Sequence, residues 1–356
     1  MKRFKYSKGY LPLPIFFPDA TRAVVKTLDS DDVKNTKTPG VLVNTYHLLN
    51  YPGLKQIEKH GGIGKFMNWE GAIISDSGGY QIMSLAKANK NDVLVTDHGV
   101  TFKGRKGNIT LTPEKVIGYQ LDLGTDLIVV LDDFGTPGET KKKSEESMRR
   151  TIMWAERSRA EYDKQCKKRK LNKTNKPYLI GVSQGGDYKD LRKYCIKKLV
   201  EIGFDGVGYG GWTKNKERMH EIGEMLPKYT PADYLIYGLG VGKPEDIVHL
   251  TKKGYQIFDC VLPSRDARHK RLYVYNAKSI SEINLKKKNF YSYYKPDRKE
   301  HKSDTNPVSD ACDCLLCTNY SKAYLYHLFE INEVLALRLS TIHNLRFYSL
   351  LMEKLR

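Results

Sequence analysis

Nowhere in the 356 residues is there an apolar run approaching the roughly 20 residues that a membrane-spanning helix requires, so no transmembrane segment is expected. Met1-Lys-Arg-Phe-Lys-Tyr6 leads into no apolar signal-peptide core, and a cytoplasmic protein is the expectation. Cysteine is also scarce. Of six, Cys166, Cys195 and Cys260 are scattered, and a disulfide framework is the weaker reading. Acidic residues are in deficit: 41 Asp and Glu stand against 60 Lys and Arg, a formal charge of +19. An excess of that size favours a polyanionic partner, nucleic acid first, even though much of it is solvated lysine. With 40% hydrophobic and 11% aromatic residues, the chain has apolar material for one large α/β barrel or two ordinary domains, and disorder is not expected.

What the chain does contain is a series of short apolar runs, each ending in a polar or glycine-rich turn. The run at Ile257 delivers Asp259 and then Pro263, Arg265 and Arg268. In a parallel α/β protein a strand ending in this way puts its carboxylate at the mouth of the sheet. Taken alone it also describes an ordinary surface aspartate, but other runs end alike. Gly40–Asn44 is followed by Thr45, Tyr46 and His47; Ala72–Ser75 runs into Asp76-Ser-Gly-Gly-Tyr-Gln81; Asp126–Leu131 ends at Asp132 and Asp133. Adjacent carboxylates on a strand point to opposite faces, so only one of that last pair can enter a site. Tyr178–Ser183 ends in Gln184-Gly-Gly186, Gly206–Tyr209 in Gly210-Gly211, and Tyr234–Gly238 leads to Gly240-Val-Gly242 and a helix opening at Pro244.

Helical stretches separate these runs. One starts with Thr112 as cap, Pro113 in the first position and Glu114 in the first turn, and another spans 144–161, followed by a basic connector over 164–176. The period suits a (β/α)8 TIM barrel, whose site forms at the C-terminal strand ends; a doubly wound open sheet is the alternative, and it would not bring every strand end to one mouth. Proline-broken β-like runs over 10–18 and 23–26 suit an N-terminal β lid on this α/β barrel. A long helix from about Tyr320 carries Leu325, Leu328, Phe329, Leu335, Leu339 and Ile342 at helical spacing, as core packing. The expected division is a barrel with its lid over 1–304 and, over 305–356, a small subdomain whose clustered Cys312, Cys314 and Cys317 suit zinc binding, together with the C-terminal helix.

Asp76 and Asp259, at two strand ends facing one cavity, resemble in logic the paired carboxylates of a retaining glycosidase. Asp132, Gln184 and the Gly210-Gly211 backbone supply hydrogen bonds for the edge of a flat polar heterocycle, and Tyr80 and Leu239 supply its faces. A bond between ribose and a base fits that combination, and the positive charge suits a polynucleotide carrying it. His47 reads better as a hydrogen-bonded histidine beside a helix start than as a ligand or base. Cys312-Asp-Cys-Leu-Leu-Cys317 places three thiolates in one loop, to which zinc would add a fourth ligand from His343 or His327.

In this order, Asp76-Ser-Gly-Gly-Tyr-Gln81, Gly181-Val-Ser-Gln-Gly-Gly186, Gly240-Val-Gly-Lys-Pro-Glu-Asp246, Phe258-Asp-Cys-Val-Leu-Pro-Ser-Arg265 and Cys312-Asp-Cys-Leu-Leu-Cys317 with His343-Asn344 resemble the tRNA-guanine transglycosylases, from about Gly40 to the C-terminus. The resemblance implies a zinc-containing barrel enzyme that exchanges guanine at the tRNA wobble position for a 7-deazaguanine. On it, Asp259 is the nucleophile, Asp76 the general acid/base, and Asp132, Gln184 and Gly211 read the base edge. Tyr80 and Leu239 stack on the base, Arg265 and Arg268 hold the RNA backbone, and His343 completes a structural zinc site. The partners it implies are tRNA, guanine and the 7-deazaguanine, with the enzyme as a homodimer.

Two segments depart from the family pattern. After Gly211 the chain reads Trp212-Thr-Lys-Asn-Lys216 where a small-residue loop leads to a glutamate, and after Asp132 it has Asp133-Phe134 in place of Glu-Cys. If Lys214 or Lys216 faces the pocket, a cationic aminomethyl base is disfavoured, and Trp212 either narrows the same space or packs beneath the loop. Two alternatives stay open, a relative that exchanges bases in DNA and a non-catalytic partner subunit; the presence of both Asp76 and Asp259 weighs against the second.

Overall fold

The computed structural model describes residues 3–81, 93–104, 107–211, 213 and 215–356. Eight short strands run parallel: β1 (Ile15–Pro18), β2 (Gly40–Asn44), β3 (Ala72–Asp76), β4 (Leu127–Val129), β5 (Tyr178–Ser183), β6 (Gly206–Tyr209), β7 (Leu235–Gly238) and β8 (Ile257–Cys260). Their order around the sheet is β1-β8-β7-β6-β5-β4-β3-β2. The remaining seam is a single parallel bridge between Asp19 and Leu42, where the Ala20 N–H donates to Leu42 O at 2.7 Å. The sheet is thus an almost closed (β/α)8 barrel and not the open alternative. Every residue of β2, β4, β6 and β7 is buried, which is why these strands read as continuous apolar runs without alternation.

Helix starts follow their local signals. Thr112 Oγ1 accepts the Lys115 N–H at 3.3 Å and Pro113 opens the helix Pro113–Leu123, which Gly124 ends at φ +72°. The helix expected over 144–161 extends from Lys141 to Lys168, because Thr140 caps it and Tyr162 and Cys166 continue its buried face. Part of the basic connector therefore belongs to it.

The amino-terminal stretch divides into two. Arg3–Tyr6 and Gly9–Pro12 pair as an antiparallel hairpin, with Phe4 packed on Phe17 at 5.8 Å between ring centroids and the Ser7 N–H donating to Asp126 just before β4. This hairpin covers the barrel end opposite the strand C-termini. Ile15–Pro18, assigned to the lid on its prolines, is barrel strand β1 itself; Pro14 precedes it and Pro18 is its last residue, positions a proline tolerates. A three-stranded antiparallel sheet (Val93–Val95, Val100–Gly104, Gly107–Leu111) is inserted after β3, burying Phe102 and Leu111 in a cluster with Tyr46 and Trp154.

At the C-terminus the single helix read from about Tyr320 is two, Lys322–Glu330 and Val334–Leu355, separated where Asn332 turns to φ +56°. Leu339 to Met352 is buried on every side of the second, because that helix lies between the barrel and the cysteine loop. Tyr348 Oη donates to Gly242 O at 2.6 Å on the barrel side. In the lysine-rich 286–302 segment Phe290 is buried and Tyr291 Oη donates to Glu245 at 2.7 Å, while Tyr293 and the lysines Lys286, Lys287 and Lys288 are exposed. Among the described residues no helix is long and apolar enough to cross a membrane.

Candidate active site

Parallel register brings the C-terminal strand ends to one rim. Asp76, the last residue of β3, pairs in register with Asn44 at the end of β2, and Asp259 lies in β8 opposite Phe17 of β1. Asp76 Oδ2 accepts from Asn44 Nδ2 at 2.7 Å and from the Gly78 N–H at 3.3 Å. Burial, and then the nearby Asp132 charge, push this carboxyl up to about 7. Asp259 Oδ1 accepts from Tyr237 Oη at 2.7 Å and from the Gly240 N–H at 3.0 Å, and neither donor reaches Oδ2. Burial outweighs both donors and raises Asp259 to about 7, with the charges of Asp76 and Asp19 adding to it. The Tyr237 phenol, also forced upward by burial and by Asp259, stays a proton donor.

Asp132 and Gln184 form the next stretch of wall. Gln184 Nε2 donates to Asp132 Oδ2 at 2.6 Å, and burial lifts Asp132 to about 6 against the pull of that amide. Asp132 and Asp133 lie beyond the end of β4, so strand alternation does not govern them. Asp133 turns away because its carboxylate is held by Arg150 and its N–H donates to Thr151 Oγ1 at 3.0 Å. Glycine is needed at two points here. A Cβ on Gly79 would sit 2.7 Å from Asp132 Oδ1, and one on Gly211, at φ +84°, would sit 2.9 Å from Gln184 Oε1. Tyr80 is exposed in the helical residues that follow β3 and meets Phe134 edge-on at 5.3 Å, whereas Leu239 is half-buried directly after β7 and lies over Gly208.

Outside this wall, Arg265 is exposed with Nε 3.7 Å from Asp266, and Arg268 is half-buried with Nη1 donating to Ser264 O at 2.7 Å. His47 is lowered to about 4 by burial and by Arg22 and Lys26, so near neutral pH its ring carries no charge. Lys216, one of the two lysines behind the argument against a cationic base, is ion-paired with Asp246 at 3.2 Å and Glu245 at 3.5 Å, which draws it to the helix Pro244–Lys252. Trp212 and Lys214 lie outside the described residues.

A second cluster lies in the C-terminal segment. The donor atoms of Cys312, Cys314, Cys317 and His343 all lie within 4.8 Å of one another. His343 Nδ1 is 3.5 Å from Cys314 Sγ and 3.2 Å from Cys317 Sγ, and its Nε2 bonds Tyr273 O at 2.8 Å, which fixes the nitrogen that faces the sulfurs. Three thiols and an imidazole are a closed tetrahedral donor set for one metal ion. His327 sits on the separate helix Lys322–Glu330 and is not in the group.

A family model described as queuine tRNA-ribosyltransferase matches residues 1–356. The chain belongs to the queuine tRNA-ribosyltransferase family. Proteins named queuine tRNA-ribosyltransferase from Vibrio atlanticus and Shewanella halifaxensis are 39% and 41% identical to it over 358 and 360 residues, each covering 99% of this chain and 88% of the relative. One from Aliivibrio fischeri is 39% identical over 358 residues, with the same coverage. By name the family is one of glycosyltransferases that move a pentosyl group.

Three residues of this family member's rim were not singled out from the sequence. Tyr237 leaves a trace, a tyrosine in an otherwise apolar buried strand. Asn44 leaves a weaker one, since it caps the helix Thr45–Asn50 with Oδ1 while Nδ2 serves Asp76. Arg192, buried beneath Gln184 and Gly210, leaves none: in the sequence it is one more basic residue on an amphipathic helix.

Proposed function

We propose that the protein is a tRNA-guanine transglycosylase that exchanges guanine at the wobble position of tRNA for a 7-deazaguanine through a covalent ribosyl intermediate on Asp259. The observation that carries this reading is the pair Asp76 and Asp259, both raised to about 7 at one barrel rim, in a chain of the queuine tRNA-ribosyltransferase family. Their surroundings separate their roles. Both carboxylates accept hydrogen bonds that favour their anions, but the Asp132 charge ranks directly after burial in raising Asp76, whereas neighbouring charges rank last for Asp259. Asp76 therefore keeps the proton, and Asp259 Oδ2, which neither Tyr237 nor Gly240 reaches, attacks ribose C1′. As the C1′–N9 bond breaks, guanine leaves with the bonding electrons and takes a proton from Asp76. The incoming base then gives its N9 proton to Asp76 and attacks C1′, which releases Asp259 as a carboxylate.

Asp132 accepts from the base's N–H groups while Gln184 and Gly211 complete the edge, and Tyr80 and Leu239 contribute the faces. Arg265 and Arg268, on the helix that follows β8, hold RNA phosphates. Cys312, Cys314, Cys317 and His343 would hold a zinc ion, which with four protein ligands would supply structure and no chemistry. A homodimer belongs to the same reading, and Leu315, Tyr324, Ile331 and Val334 offer exposed apolar side chains for it.

Exchange of labelled guanine into tRNA, compared with duplex DNA, tests the proposal. Incorporation into tRNA is expected, and Asp259→Asn should abolish both exchange and trapping of a ribosylated enzyme while the fold persists. Exchange by that variant at near wild-type rate would remove Asp259 as nucleophile, and incorporation into DNA alone would overturn the choice of substrate.

A further inference from the structure

Arg192, in the first turn of the helix Lys189–Ile202, is completely buried, and among the described residues no carboxylate pairs with it. Its guanidinium is spent on backbone instead. Nε donates to Gly186 O at 2.9 Å, and Nη1 donates to Ser183 O at 2.6 Å and to Gly210 O at 2.7 Å. The group also lies over the Tyr209 ring, 5.3 Å from its centroid. Nη2 is different: it is buried without a hydrogen-bond partner among the described residues. It stands 3.1 Å from the point a Gly211 Cβ would occupy, and Gln184 Oε1 is 2.9 Å from that same point. A buried, unmatched donor is unfavourable, and this one sits where Gln184 and Gly211 meet.

We propose that Arg192 is the positioning residue of the base-recognition wall and the reason that wall selects a 6-oxo over a 6-amino purine, an inference that rests on the base-exchange reading above. Carbonyls from the end of β5 and from the loops after β5 and β6 converge on one planar fork, so the placement of Gln184 relative to Gly211 is set by Arg192. Its charge makes this part of the wall positive, and Asp132, bonded to Gln184, makes the adjoining part negative. Guanine complements that order, with a 6-oxo acceptor beside a 1-N–H donor. In 2,6-diaminopurine the order is reversed, a 6-amino donor beside an N1 acceptor, so donor meets donor and acceptor meets acceptor. Lysine keeps the charge but lacks the planar fork.

Steady-state exchange on tRNA with free guanine and free 2,6-diaminopurine as probes tests this. Wild type is expected to use guanine and reject 2,6-diaminopurine. In Arg192→Lys, and more so in Arg192→Gln, KM for guanine should rise about 10-fold or more with kcat within about 3-fold, and the guanine preference in kcat/KM should fall about 10-fold or more. A merely structural role would lower kcat and thermal stability and leave the preference unchanged, and that result overturns the proposal. Failure of the wild type to exchange guanine would instead overturn the base-exchange reading. If both variants unfold, the wild-type protein with guanine bound decides: Nη2 must gain an acceptor from the base or from one bridging water, and an Nη2 still unpartnered beside bound guanine rejects the inference.

Discussion

A carboxyl group lifted from its ordinary 3.8 to about 7 holds its proton more tightly in the folded chain than in the unfolded one, and Asp76 and Asp259 are both in that condition. Between about pH 4 and pH 7 the native state therefore binds more protons, and stability falls as pH rises through that window. At about 1.4 kcal/mol per tenfold change in proton affinity, the ceiling is on the order of 4 kcal/mol for each group, and less for the two together because they interact. Asp259→Asn removes one buried charge. Its melting temperature should exceed the wild-type value by a few degrees at pH 8, with the gain fading by about pH 4. Thermal unfolding across that range checks this, and an equal gain at both ends would show that charge burial is not the cause. The same substitution is expected to be inactive, as stability sacrificed at a reactive site would require.

At the scale of elements, the cysteine loop and the helix Val334–Leu355 act as one unit tied to the barrel. His343 bonds the sulfurs on one side and Tyr273 O on the other, and the next residue, Asn344, donates to Pro263 O at 3.0 Å and to Arg271 O at 3.1 Å. Pro263 belongs to the helix Leu262–Arg268, which follows Asp259 directly. One zinc per chain is expected by metal analysis. Cys317→Ala should lose it together with several degrees of thermal stability, and exchange should weaken because the helix after β8 loses its support. Zinc retained in full by His343→Ala would move the fourth ligand elsewhere.

Over the whole molecule, a formal charge of +19 means that binding to tRNA will release counterions and weaken with salt. Local geometry decides which cations take part. Arg150, held by Asp133, and Arg346, held by Asp313 and Glu353, are already neutralised within the fold, whereas Arg265 is exposed and only loosely paired. Each of Arg265→Ala and Arg268→Ala should make the slope of log affinity against log salt shallower by about 0.7 to 0.9, with binding of free guanine unchanged. Titrations of tRNA at several salt concentrations measure this, and an unaltered slope in both variants would remove the two arginines from the RNA contact.

Features that depend on a few neighbouring residues were legible in the chain itself: the apolar strand runs, the Thr112-Pro113 helix start, the cysteine spacing, and Asp76 and Asp259 as strand-end acids. The strand alternation expected at Asp132 and Asp133 was not, because β4 ends at Val129. Hydrophobic patterning reports that a residue turns inward and says nothing about what it meets there. Only the tertiary structure decided that Ile15–Pro18 completes the barrel, that Tyr237 and Gly240 donate to Asp259, and that Lys216 is drawn to Asp246. It alone also gathered three backbone carbonyls onto Arg192. The physical reason is that these contacts are set by strand register and barrel closure, which sum over the whole sheet and leave no mark on the residues immediately around each partner.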